Sequence, residues 1–128
     1  MIFKKIDHVE IVPQEAEATI NFYVSILGFR IKNRIEIKKP PMREVVYLEL
    51  GDTVIEIIAV DNPSPRSEAL WEVGYRGIAL EVKNMAEAVN YLQGKGVEIT
   101  LKPVDLGDSF RGEIRDPDGL IIELRQWK

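Results

Sequence analysis

The chain has no cysteine and a single histidine, His8. The first absence removes disulfides, thiolate metal ligands and a thiol nucleophile; the second leaves any imidazole-based site one ring to work with. There is no basic surplus either. Seventeen Lys and Arg stand against 21 Asp and Glu, a formal charge of −4, which argues against an electrostatic grip on nucleic acid or on an anionic membrane. No apolar run approaches the length of a membrane-spanning helix, and Met1-Ile2-Phe3-Lys4-Lys5 passes straight into a strand pattern without a signal-peptide core. The expectation is a cytoplasmic protein. Its 128 residues, 45% of them apolar, suffice for one compact domain with a shared core over 1–128.

What is present is an internal echo. His8 falls on Gly77, Asn21 on Asn90 and Phe22 on Tyr91 at a shift of 69; Gly28 falls on Gly96 at 68, and Glu56 on Glu123 at 67. A slowly drifting offset is what small loop deletions leave between two copies of one unit. Two modules follow, about 1–62 and 74–128, separated by the linker-like Asp61-Asn62-Pro63-Ser64-Pro65.

Hydrophobic periodicity gives each module a strand, a helix and three strands. Ile6–Val12 reads as a strand and Gln14–Leu27 as a helix closed by Gly28, followed by strands over Phe29–Ile37, Glu44–Leu50 and Thr53–Val60. The second copy places a strand over Tyr75–Val82, a helix over Met85–Gln93 and a strand over Val97–Leu101. Arg111–Arg115 and Leu120–Trp127 complete it as a hairpin about the Asp116-Pro117-Asp118-Gly119 turn. The fold class is α+β: two βαβββ modules forming a cup-shaped mixed sheet with helices on the convex side. Phe22, Tyr23 and Tyr91 on the helices are expected in the core.

The two-residue period then sorts the faces. Val9 and Ile11 face the helix, while Ile6, His8 and Glu10 share the concave side with, in the second module, Tyr75, Gly77, Ala79 and Glu81. Glu56 lies between Val54 and Ile58, and Glu123 between Ile121 and Arg125. A carboxylate inside an apolar strand is costly unless paired, hydrogen-bonded or metal-bound, and here two equivalent strands each carry one. Arg76 or Arg125 could answer these carboxylates without any ligand. Glu10 is read as a rim charge.

These pieces together resemble the vicinal oxygen chelate superfamily, which includes glyoxalase I, methylmalonyl-CoA epimerase, extradiol dioxygenases and the fosfomycin and bleomycin resistance proteins. The resemblance rests on Asp7-His8-Val9, Asn21-Phe22-Tyr23, Leu27-Gly28-Phe29, Val54-Ile55-Glu56, the run from Gly77 to Val82, and Arg115 to Gly119 leading into Ile122-Glu123-Leu124. It implies a divalent metal held by one ligand from each of four strands. Carried over by position, His8, Glu56 and Glu123 match ligands, and Gly77 stands where a further histidine is expected. Mn, Fe, Co, Ni, Zn or Mg would suit the remaining donors, with affinity weakened by the glycine.

The resemblance further implies a glyoxalase-like lyase or isomerase, lactoylglutathione lyase-like or epimerase-like. Such an enzyme shifts a proton between adjacent carbons of a small oxygenated substrate, with Glu123 and Glu56 as the proton-moving groups. Glu44 is a looser candidate for that task, and Tyr47, Arg111 and Trp127 are candidates to line the cup. The alternative is a metal-free, bleomycin-resistance-like protein that sequesters a small molecule. A homodimer is expected in either case.

Overall fold

The computed structural model describes every residue, Met1–Lys128. It divides into two compact units, Met1–Arg66 and Ser67–Lys128. The first runs β1 (Val9–Ile11), α1 (Ala16–Asn21) with a π-helical turn over Phe22–Ile26, β2 (Arg30–Lys39), β3 (Met42–Leu50) and β4 (Thr53–Val60). The second runs β5 (Gly77–Glu81), α2 (Met85–Gly94), β6 (Leu101–Asp105), β7 (Ser109–Arg115) and β8 (Ile121–Trp127). Each is a βαβββ module, and the class is α+β as expected. The sheet orders correspond strand for strand: β1-β4-β3-β2 in one unit, β5-β8-β7-β6 in the other. In both, the first strand lies parallel to the last and the remaining pairs are antiparallel.

Alternation places the cores. In the first unit Val46, Leu48, Ile55, Ile57 and Ala59 are buried on the helix-covered face, with Ile20 of α1 and with Tyr23 and Phe29 in an edge-to-face aromatic group that includes Phe22. In the second, Ile114, Ile122 and Leu124 are buried with Met85 and Leu92 of α2. Tyr91 departs from expectation at 48% exposed, because it falls off the stripe that Met85 and Leu92 bury.

Three boundaries also differ from the sequence expectation. β1 pairs only over Val9–Ile11, shorter than the expected Ile6–Val12. The first helix closes through an i→i+5 bond, Leu27 N–H donating to Phe22 O at 3.2 Å, a π turn that lets adjacent Phe22 and Tyr23 both be buried. Val97 is not in a strand: its N–H caps α2 by donating to Leu92 O at 2.9 Å, and β6 begins only at Leu101. The turn before β8 matches the expectation, with Asp116 Oδ1 accepting from the N–H groups of Asp118 and Leu120 at 2.9 Å each. Gly119 there takes a φ of 80°, which side-chain-bearing residues resist.

Candidate functional site

The face of the first sheet opposite the helix carries a row fixed by strand register. Glu10 of β1 is the Cα partner of Glu56 of β4, which is in turn the partner of Tyr47 of β3. His8 lies two residues before Glu10 and so projects to the same side. Its Nε2 sits 3.1 Å from Glu56 Oε2 and 3.4 Å from Glu10 Oε2, while Nδ1 meets Asp7 Oδ2 at 2.8 Å. Tyr47 stands edge-on to the imidazole, 5.9 Å between centroids, and is the cross-strand neighbour of Glu56.

The charges in this group are one-sided. Three carboxylates, Asp7, Glu10 and Glu56, surround one imidazole, and the ion pair of Glu56 is with His8 rather than with a lysine or arginine. The hydrogen bond that His8 donates to Asp7 holds the imidazole above its ordinary value of 6.5; desolvation opposes it, and the hydrogen bond to Glu10 and the field of Glu56 add to it. Desolvation and then the charge of Glu56 push the Tyr47 phenol up from 10.0. Glu56 is the buried member, its side chain only 10% exposed, against 61% for Glu10.

These donors fit a divalent ion. One ligand atom each from His8, Glu10 and Glu56 lie within 4.8 Å of one another, and the 3.1 and 3.4 Å separations resemble the ~3.0–3.4 Å edges of an octahedral or tetrahedral shell with bonds of about 2.1 Å. Asp7 on Nδ1 would orient the ring and leave Nε2 for the ion, a common outer-shell arrangement. Sequence reading placed His8 and Glu56 on this face and left Glu10 as a rim charge. It is exposed, as a rim charge should be, but its carboxylate turns inward onto the imidazole.

The second unit carries the equivalent row with different chemistry. Ala79, Glu123 and Glu113 occupy the places of Glu10, Glu56 and Tyr47, and Gly77 that of His8. Arg111 and Arg125 form the next cross-strand pair beside Glu113 and Glu123, so the sign of charge alternates along each strand while like charges face each other across the pair. Arg111 Nε donates to Glu123 Oε1 at 2.6 Å and Arg125 Nη2 reaches Glu123 Oε2 at 3.1 Å. Arg111 also donates to Glu113, which Arg76 approaches at 3.6 Å. The guanidinium of Arg76 lies 4.8 Å from the ring centroid of Trp71, and that of Arg125 5.0 Å from that of Trp127. Glu123 is thus met by arginines, as the ligand-free alternative anticipated.

Gly77 is held by its surroundings. A Cβ built there would lie 2.4 Å from Ile121 O and 3.0 Å from Ile121 Cβ, so the backbones of β5 and β8 close over the space that a side chain needs. Glu44 does not belong with the proton-moving candidates. It alternates with Val46 and Leu48 on the helix-covered face, where Arg34 Nη2 binds both Glu44 Oε1 at 2.7 Å and Glu17 of α1 at 2.5 Å.

Two βαβββ units, each with a polar row on the face opposite its helix, define a two-module α+β protein. The Glyoxalase/Bleomycin resistance protein/Dioxygenase superfamily matches residues 5–124, and the chain belongs to that superfamily. The crystal structure of the glyoxalase family protein from Enterococcus faecalis is similar at 32% identity and TM-score 0.84, over 98% of this chain and 99% of that one. Protein YwkD of Bacillus subtilis is 29% identical, over 97% of this chain and 98% of its own. The trypanothione-dependent glyoxalase I of Leishmania major, at 23% identity and TM-score 0.80, over 97% of this chain and 87% of its own, shares the fold. No helix is long and apolar enough to cross a membrane.

Proposed function

We propose that this protein is a metal-dependent lyase or isomerase, lactoylglutathione lyase-like or epimerase-like, moving a proton between adjacent carbons of a small oxygenated substrate. The observation that carries the proposal is the meeting of His8 Nε2 and Glu56 Oε2 at 3.1 Å on the row that also bears Tyr47. His8 and Glu56 would hold the divalent ion, Mn, Fe, Co, Ni, Zn or Mg. When bound, the ion supplies Lewis-acid polarisation of a substrate oxygen, which acidifies the neighbouring C–H. Glu56 is the proton-moving group on the first unit: buried, it meets substrate with little competing water. Glu123 is the second proton-moving group, and to act it must let go of Arg111 or Arg125. Arg111, Trp127 and Tyr47 are proposed to read the substrate. We place the protein in the cytoplasm as a homodimer without nucleic-acid or membrane partners.

The test starts from protein purified without chelator. Near-stoichiometric metal, and metal-dependent turnover of the methylglyoxal–glutathione hemithioacetal or epimerisation of methylmalonyl-CoA, is the expected result. Glu56→Gln should lower kcat by about 10²–10⁴-fold, the span of general acid–base catalysis. Protein that takes up no Mn, Co, Ni or Zn overturns the enzyme. The second reading, a metal-free sequestering protein, is favoured by one observation, the arginine-bound Glu123 whose partner Arg125 lies against the exposed Trp127. It predicts quenching of tryptophan fluorescence by a cationic aromatic compound such as bleomycin, with no metal dependence.

A further inference from the structure

Equivalent rows in two copies of one module form an internal control, and they differ in a correlated way. Where the first strand has two donors, His8 and Glu10, the glutamate of the last strand is left to the imidazole. Where the first strand has lost both, at Gly77 and Ala79, the matching Glu123 has a guanidinium on each oxygen. We infer that the metal site is confined to the first unit, with Glu10 as its third protein ligand, and that Glu123 is not a ligand. The inference rests on the metal-dependent reading above and changes its ligand set.

Three observations support it. Glu10 and Glu56 are direct neighbours across β1 and β4, and adjacent like charges oppose folding unless a cation sits between them. His8 alone offsets them in part, and Asp7 adds a further negative charge behind it. In the second unit three arginines answer Glu113 and Glu123, so no cation is called for. Glu123 could coordinate an ion only by giving up charge-assisted bonds at 2.6 and 3.1 Å, whereas Glu10 gives up only a longer contact to His8, at 3.4 Å. The position that might have supplied a donor from β5 is closed by Ile121. A site of one nitrogen and two carboxylates leaves several coordination positions for water and a substrate with two oxygens.

The experiment is titration of chelator-stripped protein with Mn²⁺, Ni²⁺ and Zn²⁺ separately, followed calorimetrically, on the wild type and on Glu10→Gln, His8→Gln, Glu123→Gln and Asp52→Asn. Asp52, in the turn between β3 and β4, controls for loss of one negative charge. The expected result is one ion per chain, affinity lowered more than about 10-fold by Glu10→Gln and His8→Gln, and affinity within about threefold of wild type for Glu123→Gln and Asp52→Asn. Glu10 is exposed, so its variant folds, and circular dichroism on each protein confirms it. A Glu10→Gln protein with wild-type affinity overturns the inference, as does a Glu123→Gln protein weakened as much as the others. The metal-dependent function would survive either of those outcomes. A wild type that takes up none of the three ions overturns both.

Discussion

At the scale of single residues, Asp7 and Gly77 set the terms. Asp7 does not reach the proposed ion; it accepts from His8 Nδ1 at 2.8 Å and so holds Nε2 toward Glu10 and Glu56. Asp7→Asn keeps the size and loses the charge-assisted bond, and should weaken metal binding about 10–100-fold while leaving one ion per chain, as calorimetry would read. Gly77→Ala brings a Cβ to 2.4 Å from a backbone oxygen. Overpacking of this kind costs about 1–3 kcal/mol, so the thermal midpoint should fall, and Gly77→His should fall at least as far without gaining metal affinity. His8, Glu56 and Glu123 could be placed on their faces from the two-residue period alone. Glu10 could be placed on a face but not in a site, because what joins it to Glu56 is the parallel register of β1 on β4, which no local pattern states.

Among elements, the strands β3, β4 and β8 were legible because each is an apolar run of strand length bounded by turn residues, Gly51-Asp52 between β3 and β4 and Pro117-Asp118-Gly119 before β8. The segment from Val97 was not. Val97 and Ile99 alternate like a strand, yet Val97 N–H serves the end of α2, a tertiary use that overrides the pattern. The first helix was legible in place but not in kind, since its periodicity does not reveal the π turn that buries Phe22 beside Tyr23. One tie between elements is electrostatic: Arg34 of β2 joins Glu44 of β3 to Glu17 of α1. The Arg34 hydrogen bond, ahead of opposing desolvation, holds the Glu44 carboxyl below its ordinary 4.5. A carboxyl lowered on folding contributes stability above its unfolded value, and that stability is lost as pH falls through the folded value. Arg34→Ala should therefore lower stability at neutral pH by about 0.3–1 kcal/mol, and the difference from wild type should shrink below about pH 4, as urea melts at pH 7 and pH 3 would show.

For the molecule as a whole, both units leave large apolar side chains uncovered ahead of their first strands: Ile2, Phe3 and Ile6 before β1, and Leu70, Trp71 and Tyr75 before β5. At the repeat shift of 69, Ile2 corresponds to Trp71 and Ile6 to Tyr75, so the exposure belongs to the module design. In the homodimer proposed above, a second copy would cover this surface with a symmetric contact. Light scattering after gel filtration should give twice the chain mass, and Phe3→Asp combined with Tyr75→Asp should give a single chain mass with secondary structure intact. A wild-type monomer would remove the homodimer from the account.

The close approach of Gly77 to Ile121 also constrains design. With this backbone a side chain at position 77 and the present course of β8 exclude one another, because the Cβ alone would meet Ile121 O at 2.4 Å. A donor there requires the strand opposite to move as well, so installing one by design takes at least two coordinated changes, the residue itself and the packing that now closes over it.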